Sequence, residues 1–508
     1  MVSITVAAAV LRRGMLPTDG LWFDDSWVAA GASLGRLSEL LTVGTAHPTF
    51  TALLMAIDRV GGGNQAMTMP ALVAGTVAPA VLYVVVRWMG SGRPASLLTA
   101  SVLVVAEIPL LYAGRVKGYV IDVVLVLGLA VVVAWASGRR WRPAGAVAWV
   151  LGAWVVAGMS GNMVIATAVA GGLLVLQAHG DRLLRAVAVG VQGLGQLWYL
   201  REVDQHVNLD SLDRTIDRVY DSQVDIYANP LRTAEEVLEH LRRIGQLYPG
   251  RGAGGWLALV VVVAVGGLLL AAVRGRTPVE RTVGRYLLAL LVVAFIGGVF
   301  GVLPFGGRNE LDALSPGGRY NLWLVGPVAV GATVVLDRLV RLARGHRAKQ
   351  VVAGVAVALS VAIVAEDGFP PGPPARFPGA ASAAQDLDRS LGPDDRAVVL
   401  GVGTYAYPIE SRFPSEVVAT PHYEIGFSAV VDDPRFLTVG AWSPVPDAFD
   451  QVGDHVAGAD RVFVIATMSF VGGHDTVSET LTDAGFERVE TRHHQWAFTD
   501  VWERRADP

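Results

Sequence analysis

The sequence predicts an all-α polytopic membrane bundle followed by a C-terminal α/β domain outside the membrane. Three observations predict it. Only 17% of the 508 residues are charged, whereas average soluble proteins carry about 25%. Apolar runs long enough to cross a bilayer recur through residues 1–365. Charge also divides the chain, because residues 1–365 hold 31 Lys/Arg and 22 Asp/Glu, whereas residues 366–508 hold 10 and 23. We therefore expect a membrane domain over 1–365 and a second domain over 366–508.

Composition excludes several protein classes. With 52% hydrophobic residues and a net charge of −4, the chain is not intrinsically disordered. It contains no cysteine, which excludes a disulfide scaffold and a cysteine-based zinc or redox site.

A membrane helix needs about 20 apolar residues to cross roughly 30 Å of hydrocarbon. Ten apolar runs of about that length cover residues 66–86, 95–112, 119–136, 144–158, 163–178, 186–200, 253–273, 286–303, 320–337 and 351–365. Ten such runs are too many to be explained as core helices of a soluble protein. The runs at 144–158 and 163–178 are separated by polar and glycine residues, including Ser160 and Asn162, and predict two short spans. The run at 186–200 is the least apolar, because it contains Gln192 and Gln196.

The first apolar segment is short. Val2–Leu11 precedes Arg12 and Arg13, and ten helical residues cover only about 15 Å. The true start lies upstream, or the helix enters a thinned or protein-lined region. A cleaved signal peptide would have a basic start and a small-residue cleavage site, which this segment lacks. We interpret it as a truncated first span, which gives about eleven helices.

The positions of the basic residues predict the orientation. Alternate connections carry 16 Lys/Arg against only Asp181 and Glu280, in segments 87–94, 137–143, 179–185, 274–285 and 338–350. We expect these connections and the N-terminus to be cytoplasmic in a multi-pass cell-membrane protein. The C-terminal domain then lies outside with the remaining connections, which are 14–65, 113–118, 159–162, 201–252 and 304–319.

The C-terminal part predicts a separate small α/β domain. A proline-rich linker, residues 368–374, precedes alternating helical and strand-like segments at Ala380–Leu391, Arg396–Val402, Asp460–Thr467, Thr476–Ala484, Phe486–Thr491 and Trp496–Glu503. Gly401-Val-Gly403 lacks the spacing of a dinucleotide-binding loop and indicates a turn. The domain has no basic patch, which argues against nucleic acid as a partner.

Two adjacent carboxylates, Asp24 and Asp25, lie in the first outward loop between Trp22 and Trp27. Neighbouring like charges raise the pKa of at least one carboxylate unless a cation compensates. A carboxylate at the membrane surface can act as a general base on an acceptor hydroxyl. The alternative is a solvated helix cap, for which Asp is a favoured residue.

The loop ends in His47-Pro48, which leads into an amphipathic segment that could lie along the interface. A histidine in this position is usually structural, although it is also a candidate for substrate binding. Glu107 lies near the outer end of its run, where a carboxylate in a membrane helix is costly and is therefore a functional candidate.

Two cations, Arg115 and Lys117, share the short outward connection before Tyr119 and Asp122. Two cations so close together can clamp a phosphate, but their alternative role is to reach lipid headgroups. The last outward loop adds Arg319 and Tyr320. The loop 201–252 predicts two surface helices, which either cover a site or form a solvated lid.

Four of these segments together resemble the GT-C glycosyltransferase superfamily, and within it the family 39-like integral-membrane branch. The acidic pair is similar to that branch's first outer loop, and His47-Pro48-Thr49-Phe50 to its HPxF/Y motif. Pro109–Asp122 (PLLYAGRVKGYVID) resembles its P-x-x-x-Y-A-x-E-V-K-x-Y-x-x-D segment. Pro316–Pro327 (PGGRYNLWLVGP) resembles its late R-Y-x-x-x-x-x-P segment.

The resemblance implies an inverting transferase for hexosyl or pentosyl groups. A polyprenyl-phosphate sugar would enter from the lipid, and a glycan, lipid or protein hydroxyl on the outer face would accept the sugar. It also implies that Asp24 is the catalytic base and Asp25 its acidic neighbour. Lys117, Tyr119 and Arg319 match residues near the donor phosphate. The sequence departs from the branch near Arg115, where many relatives carry Glu.

Two other functions remain alternatives. A transporter or lipid flippase would place polar residues near the bilayer midplane and often shows internal repeats, whereas the polar residues here gather at one face. A catalytically inactive scaffold would use the C-terminal domain for binding. The residues imply no cofactor. A divalent cation beside the acidic pair is a further alternative, but two adjacent carboxylates are too few ligands to define a metal site.

Overall fold

The computed structural model describes residues 1–16, 21, 23–43, 47–61, 63–206, 225–248, 256–303, 305–306, 317–343, 354, 380–400, 403–420, 426–439, 448–467, 471–494 and 497–505. They form two compact units. The first takes its residues from Met1–Met15, Met69–Leu200 and Asp213–Ala375. The second takes its residues from Leu16–Thr68, Arg201–Leu212 and Arg376–Pro508.

The described α-helices are, in chain order, α1 (Val2–Arg13), α2 (Phe23–Leu34), α3 (Leu40–Val43), α4 (Pro48–Arg59), α5 (Gly63–Ala66), α6 (Met69–Trp88), α7 (Arg93–Val105), α8 (Glu107–Tyr112), α9 (Tyr119–Ser137), α10 (Pro143–Ala157), α11 (Gly161–Leu176), α12 (Arg182–His206), α13 (Pro230–Leu247), α14 (Trp256–Arg274), α15 (Pro278–Val299), α16 (Val325–Leu342), α17 (Ala380–Ser390), α18 (Gly403–Glu410), α19 (Val452–Val456) and α20 (Val471–Asp483). Short 3₁₀ helices are η1 (Leu37–Glu39), η2 (Gly317–Leu324) and η3 (Ala448–Gln451). The strands are β1 (Arg396–Leu400), β2 (Ser415–Thr420), β3 (Gly426–Val431), β4 (Phe436–Val439), β5 (Arg461–Thr467), β6 (Phe486–His494) and β7 (Ala497–Arg504).

The first unit is helical, as the apolar runs predict. Among the described residues, five helical segments are long and apolar enough to cross a membrane: α6, α9, α14, α15 and Arg319–Leu342. Three shorter apolar helices are α7, α10 and α11. The count of about eleven spans stays a prediction, because residues 351–353 and 355–365 lie outside the described residues. The linker 368–374 and the boundary expected after residue 365 lie outside them as well.

Two predicted boundaries are wrong. The run at 95–112 is not one helix, because Ala106 has an extended ψ of 118° and divides it into α7 and α8. The inner connection expected at 274–285 is shorter, since the Thr277 side chain accepts a hydrogen bond from the Glu280 backbone N–H and Pro278 follows as the first helical residue. Proline is well suited to that position because its missing N–H needs no partner there. The charges of this segment had indicated a longer loop.

The glutamines of α12 have partners inside the bundle. Trp149 Nε1 donates to Gln192 Oε1 (2.8 Å), and Gln196 Nε2 donates to Thr167 Oγ1 (2.8 Å). Both glutamines are buried. The weakest apolar run is therefore a helix of the first unit whose amides bond to α10 and α11.

The two acids of the basic connections are also paired. Asp181 lies 3.0 Å from Arg185. Glu280 lies 2.9 Å from Arg338 and 3.3 Å from Arg276, whose guanidinium also lies 2.8 Å from Asp337. These buried carboxylates connect the ends of helices that the sequence places at the cytoplasmic face.

The second unit contains a five-stranded sheet in the order β4-β1-β5-β7-β6. β1 is parallel to β4 and β5, whereas β7 is antiparallel to β5 and β6. Alternate residues of β1 face opposite sides: Val398 packs into the cluster containing Val477 of α20, and Val399 into the cluster containing Leu387 of α17. The predicted α/β architecture is confirmed for the described residues, with three strands, β2 to β4, that the sequence had not indicated.

Described residues of the first outward loop belong by their contacts to this second unit, although the sequence assigns them to the membrane domain. Helix α2 contacts α18, β2 and β3. Gly31 permits this packing, because a Cβ there would lie 2.9 Å from the Val43 carbonyl oxygen and 3.2 Å from the Phe427 ring. The helix that carries the acidic pair is therefore packed against the hairpin β2–β3.

Candidate functional site

Three tyrosines from separate elements of the first unit meet edge to face. The ring of Tyr119 at the start of α9 lies 5.4 Å from that of Tyr112 at the end of α8. It lies 5.5 Å from that of Tyr320 in η2. T-shaped contacts at these separations are favourable for aromatic rings. The structure thus brings together Tyr119 and Tyr320, which the sequence singled out in two distant segments.

Three cations close to these tyrosines in the sequence are buried. The exposed fractions of Arg115, Lys117 and Arg319 are 8%, 5% and 6%. The guanidinium of Arg319 lies 5.0 Å from the centre of the Tyr320 ring, and its Nη2 donates to the Tyr320 hydroxyl at 3.4 Å. Side chains reaching lipid headgroups would be exposed at the protein surface, so this burial argues against that alternative for Arg115 and Lys117.

The segment between α8 and α9 is buried along its whole length, from Ala113 to Gly118. Two glycines allow the close packing. A Cβ at Gly114 would lie 2.1 Å from the Met15 carbonyl oxygen, and one at Gly118 would lie 3.1 Å from the Met159 carbonyl oxygen. The backbone on both sides of Lys117 is therefore enclosed by other parts of the first unit.

A network of polar side chains surrounds Asp122, four residues after this segment. Ser160 Oγ is 2.8 Å from both carboxylate oxygens of Asp122. Asn162 Nδ2 donates to Asp122 Oδ2 at 3.3 Å and to the Tyr320 carbonyl oxygen at 3.1 Å. The sequence showed these polar residues in apolar surroundings but gave Ser160 and Asn162 no role beyond separating two helices. The polar residues between two short apolar runs were the signal that could have identified Ser160 and Asn162.

Glu107 is the first residue of α8 and is partly buried. The sequence had indicated that Glu107 lies inside a continuous membrane helix. The structure instead places it at the start of a separate short helix. A carboxylate in the first turn of a helix interacts favourably with the helix dipole. This position explains in part how the charge of Glu107 is tolerated.

The second unit carries the acidic pair and His47. Asp24 and Asp25 are the second and third residues of α2, and the side chain of Asp24 lies outside the described part of the chain. Asp25 is 1% exposed, which argues against a solvated cap for this residue. His47 is the N-cap residue of α4 without a side-chain capping bond, and Pro48 is the first helical residue.

Helix α13 confirms the second of the two surface helices predicted in the loop 201–252; the first, at Asp213–Tyr220, lies outside the described residues. It contacts η2 and α8. Its buried His240 pairs with Glu236 (3.0 Å), and the other ring nitrogen contacts the Phe305 carbonyl oxygen. The helix is thus anchored on the first unit by a buried polar residue, unlike a solvated lid. Within the part of the chain that the structure describes, no cluster of three or more His, Asp or Glu side chains could hold a metal ion.

The fold is similar to that of a solved structure, ArnT. ArnT from Cupriavidus metallidurans in the apo state matches with a TM-score of 0.55 and 14% identity, over 98% of this chain and 97% of ArnT. The Archaeoglobus fulgidus oligosaccharyltransferase, in complex with Zn and sulfate, matches with a TM-score of 0.49 and 11% identity, over 98% of this chain and 72% of that one. The sequence matches no protein-family model and no curated protein. At 14% identity, the likeness to ArnT concerns the fold.

Proposed function

From the GT-C fold of this chain, we propose that it is a multi-pass membrane glycosyltransferase working on the outer face. It moves a hexosyl or pentosyl group from a polyprenyl-phosphate donor to a hydroxyl of an envelope glycan, lipid or protein. Its N-terminus is cytoplasmic, and the domain that follows residue 365 is outside the cell membrane.

The observation that carries the proposal is the buried Arg319, whose guanidinium lies 5.0 Å from the centre of the Tyr320 ring, while that ring contacts Tyr119 at 5.5 Å. Lys117, two residues before Tyr119, is buried as well. We call Lys117, Tyr119, Arg319 and Tyr320 the donor cluster. Cations held at a fixed position near the end of a membrane helix suit a ligand with a phosphate and an apolar tail. Arginine binds phosphate through several N–H groups, and lysine binds it as a compact charge. We assign the donor phosphate to this cluster.

The transfer itself needs a base but no redox chemistry. Asp24 or Asp25 takes the proton of the acceptor hydroxyl, and the acceptor oxygen forms a bond to the anomeric carbon. The bond from that carbon to the phosphate oxygen breaks on the opposite side, so the configuration inverts. Polyprenyl phosphate leaves with the bonding electrons, and the aspartic acid later releases its proton to water. Asp24 is the assigned base by its position in the family pattern.

The other candidates have supporting roles in this scheme. Arg115 adds positive charge beside Lys117 for the phosphate. Glu107 and His47 bind substrate hydroxyls as hydrogen-bond acceptor or donor.

The experiment is a transfer assay with the full-length protein in lipid nanodiscs and a set of radiolabelled polyprenyl-phosphate sugars. Asp24→Asn and Asp25→Asn are measured singly beside Asp58→Asn. Asp58 is a partly buried carboxylate at the end of α4 and is the matched control. Loss of a general base typically lowers the rate by about 10²–10⁴-fold. We expect that loss in Asp24→Asn and none in Asp58→Asn. Unchanged transfer in both Asp24→Asn and Asp25→Asn would refute the proposal that one of these carboxylates is the base.

A further inference from the structure

Asp122 is a fully buried carboxylate one turn into α9, a candidate span. Its side chain receives hydrogen bonds from two residues at the start of α11, Ser160 and Asn162. Carboxylates inside membrane helices are costly and are usually retained for function. The proposed reaction gives Asp122 no chemical step, so its burial needs another explanation.

The network reaches the donor cluster through Asn162. One amide nitrogen donates both to Asp122 Oδ2 at 3.3 Å and to the backbone carbonyl oxygen of Tyr320 at 3.1 Å. Tyr320 follows Arg319 in η2. The carboxylate on α9 is therefore connected, through one side chain on α11, to the backbone that carries Arg319.

Asp122 also lies close in the chain to Tyr119, another member of the donor cluster. Tyr119 is three residues before Asp122 in α9, a spacing that places both on one face of the helix. Gly118, which precedes Tyr119, is packed so closely that a Cβ would lie 3.1 Å from the Met159 carbonyl oxygen and 4.0 Å from the Ser160 Cβ. The start of α9 therefore packs against Met159 and Ser160, which immediately precede α11.

We propose that Asp122 is a positioning residue that, through Ser160 and Asn162, fixes Tyr119 on α9 and the preceding Lys117 at a set distance from Arg319 and Tyr320 on η2. This inference rests on the proposed function, since the cluster is taken to bind the donor phosphate. Asp122 contacts neither the donor nor the acceptor. Its role is to keep the two halves of the phosphate site from moving apart.

The chemistry explains why a carboxylate suits this position. A carboxylate offers acceptor oxygens to both the Ser160 hydroxyl and the Asn162 amide. In Asp122→Asn one of these oxygens becomes an NH₂ group, which can donate to the Ser160 hydroxyl, while the remaining oxygen can accept from Asn162. The negative charge that strengthens both hydrogen bonds is lost. Because the helix can keep its shape, this variant separates positioning from folding.

The test measures binding of undecaprenyl phosphate to the full-length protein in nanodiscs, beside its melting temperature and the donor KM. The variants are Asp122→Asn, Asn162→Ala, Ser160→Ala and Ser160→Thr. Thr333→Val is the control, since the Thr333 hydroxyl is buried and donates to the Ala329 carbonyl oxygen (2.7 Å) away from the network.

We expect the first three variants to weaken probe binding by about tenfold, the factor that corresponds to one lost hydrogen bond to a charged group. Donor KM should rise similarly, with acceptor KM unchanged and a melting temperature no lower than that of Thr333→Val. Ser160→Thr keeps the hydroxyl and should restore binding. Folded variants that bind the probe as the wild type does would overturn the inference. So would Ser160→Ala and Ser160→Thr behaving alike. A wild-type protein that fails to bind the probe would instead overturn the assignment of the donor phosphate.

Discussion

Arg12 Nη2 lies 3.1 Å from the carbonyl oxygen of Leu103, although 91 residues separate the two in the chain. Its Nη1 lies 3.2 Å from the Val104 carbonyl oxygen. The last carbonyl groups of a helix have no intrahelical partner, and α7 ends at Val105. The buried guanidinium of α1 therefore caps α7 where the predicted span is interrupted.

Replacing Arg12 by Ala should destabilise the protein by about 2–3 kcal/mol, because two buried carbonyl groups lose a charged donor. The neighbouring Arg13 is exposed at the end of the same helix, so Arg13→Ala is the matched control. Melting temperatures in the same detergent provide the measurement. Equal melting temperatures for the two variants would show that the cap does not contribute to stability.

Gly75 should not tolerate a side chain. A Cβ there would lie 2.7 Å from the Ala113 Cβ and 2.9 Å from Arg12 Nε. Overpacking of this kind costs about 1–3 kcal/mol, so Gly75→Ala should lower the melting temperature and displace Ala113 beside the candidate site. A Cβ at Gly128 of α9 would meet no described atom within 4 Å. Gly128→Ala should therefore be neutral or raise the melting temperature, because Ala favours helix. A tolerated Gly75→Ala would contradict the packing.

Lys117→Met should raise the donor KM by about 10–100-fold, since the charge is lost while the length of the side chain is kept. Lys117→Arg should retain more of the affinity, because it keeps the charge. Steady-state kinetics with a polyprenyl-phosphate sugar distinguish the two. An unchanged donor KM in Lys117→Met would remove Lys117 from the phosphate site.

The second unit should lose stability as the pH falls below about 6.5. Burial lowers the pKa of His455 from its ordinary value of 6.5, so the unfolded chain binds its proton at a higher pH than the folded one does. Stability therefore decreases from that pH down to the folded pKa and is constant below it. His455→Gln should flatten this part of the profile. His493→Gln, at an exposed position of β6, should not. The measurement is a series of thermal melts between pH 7 and 5, followed by tryptophan fluorescence. The same dependence of melting temperature on pH in both variants would contradict the assignment of this effect to His455.

Local patterns predicted the helices and several strands because their signals are contained in a few neighbouring residues. The apolar run at 119–136 predicted α9, and the valine-rich Arg461–Thr467 lies in a predicted strand that became β5. Strands β2 to β4 were not predicted. Strand β4 has only four residues, and its pairing with β1 depends on residues about forty positions away.

The candidate site was predictable as a set of residues but not as an arrangement. The sequence singled out Tyr119 and Tyr320, but their ring contact requires η2 to pack on α9, and no local pattern specifies which spans are neighbours. The bond from Asn162 to the Tyr320 carbonyl oxygen joins positions 158 residues apart. Charge at the outer ends of the helices was visible in the sequence. The burial of Arg115 and Lys117 was not, because it depends on tertiary packing.

The glutamines of α12 have a consequence for how the protein is made. Two amide side chains oppose the partitioning of a helix from the translocation channel into lipid, where they would lack hydrogen-bond partners. Trp149 and Thr167, which bond to Gln192 and Gln196, lie on α10 and α11 and are synthesised first. The partners of both glutamines therefore exist before α12 is complete, so its amides can be bonded as soon as it packs against α10 and α11.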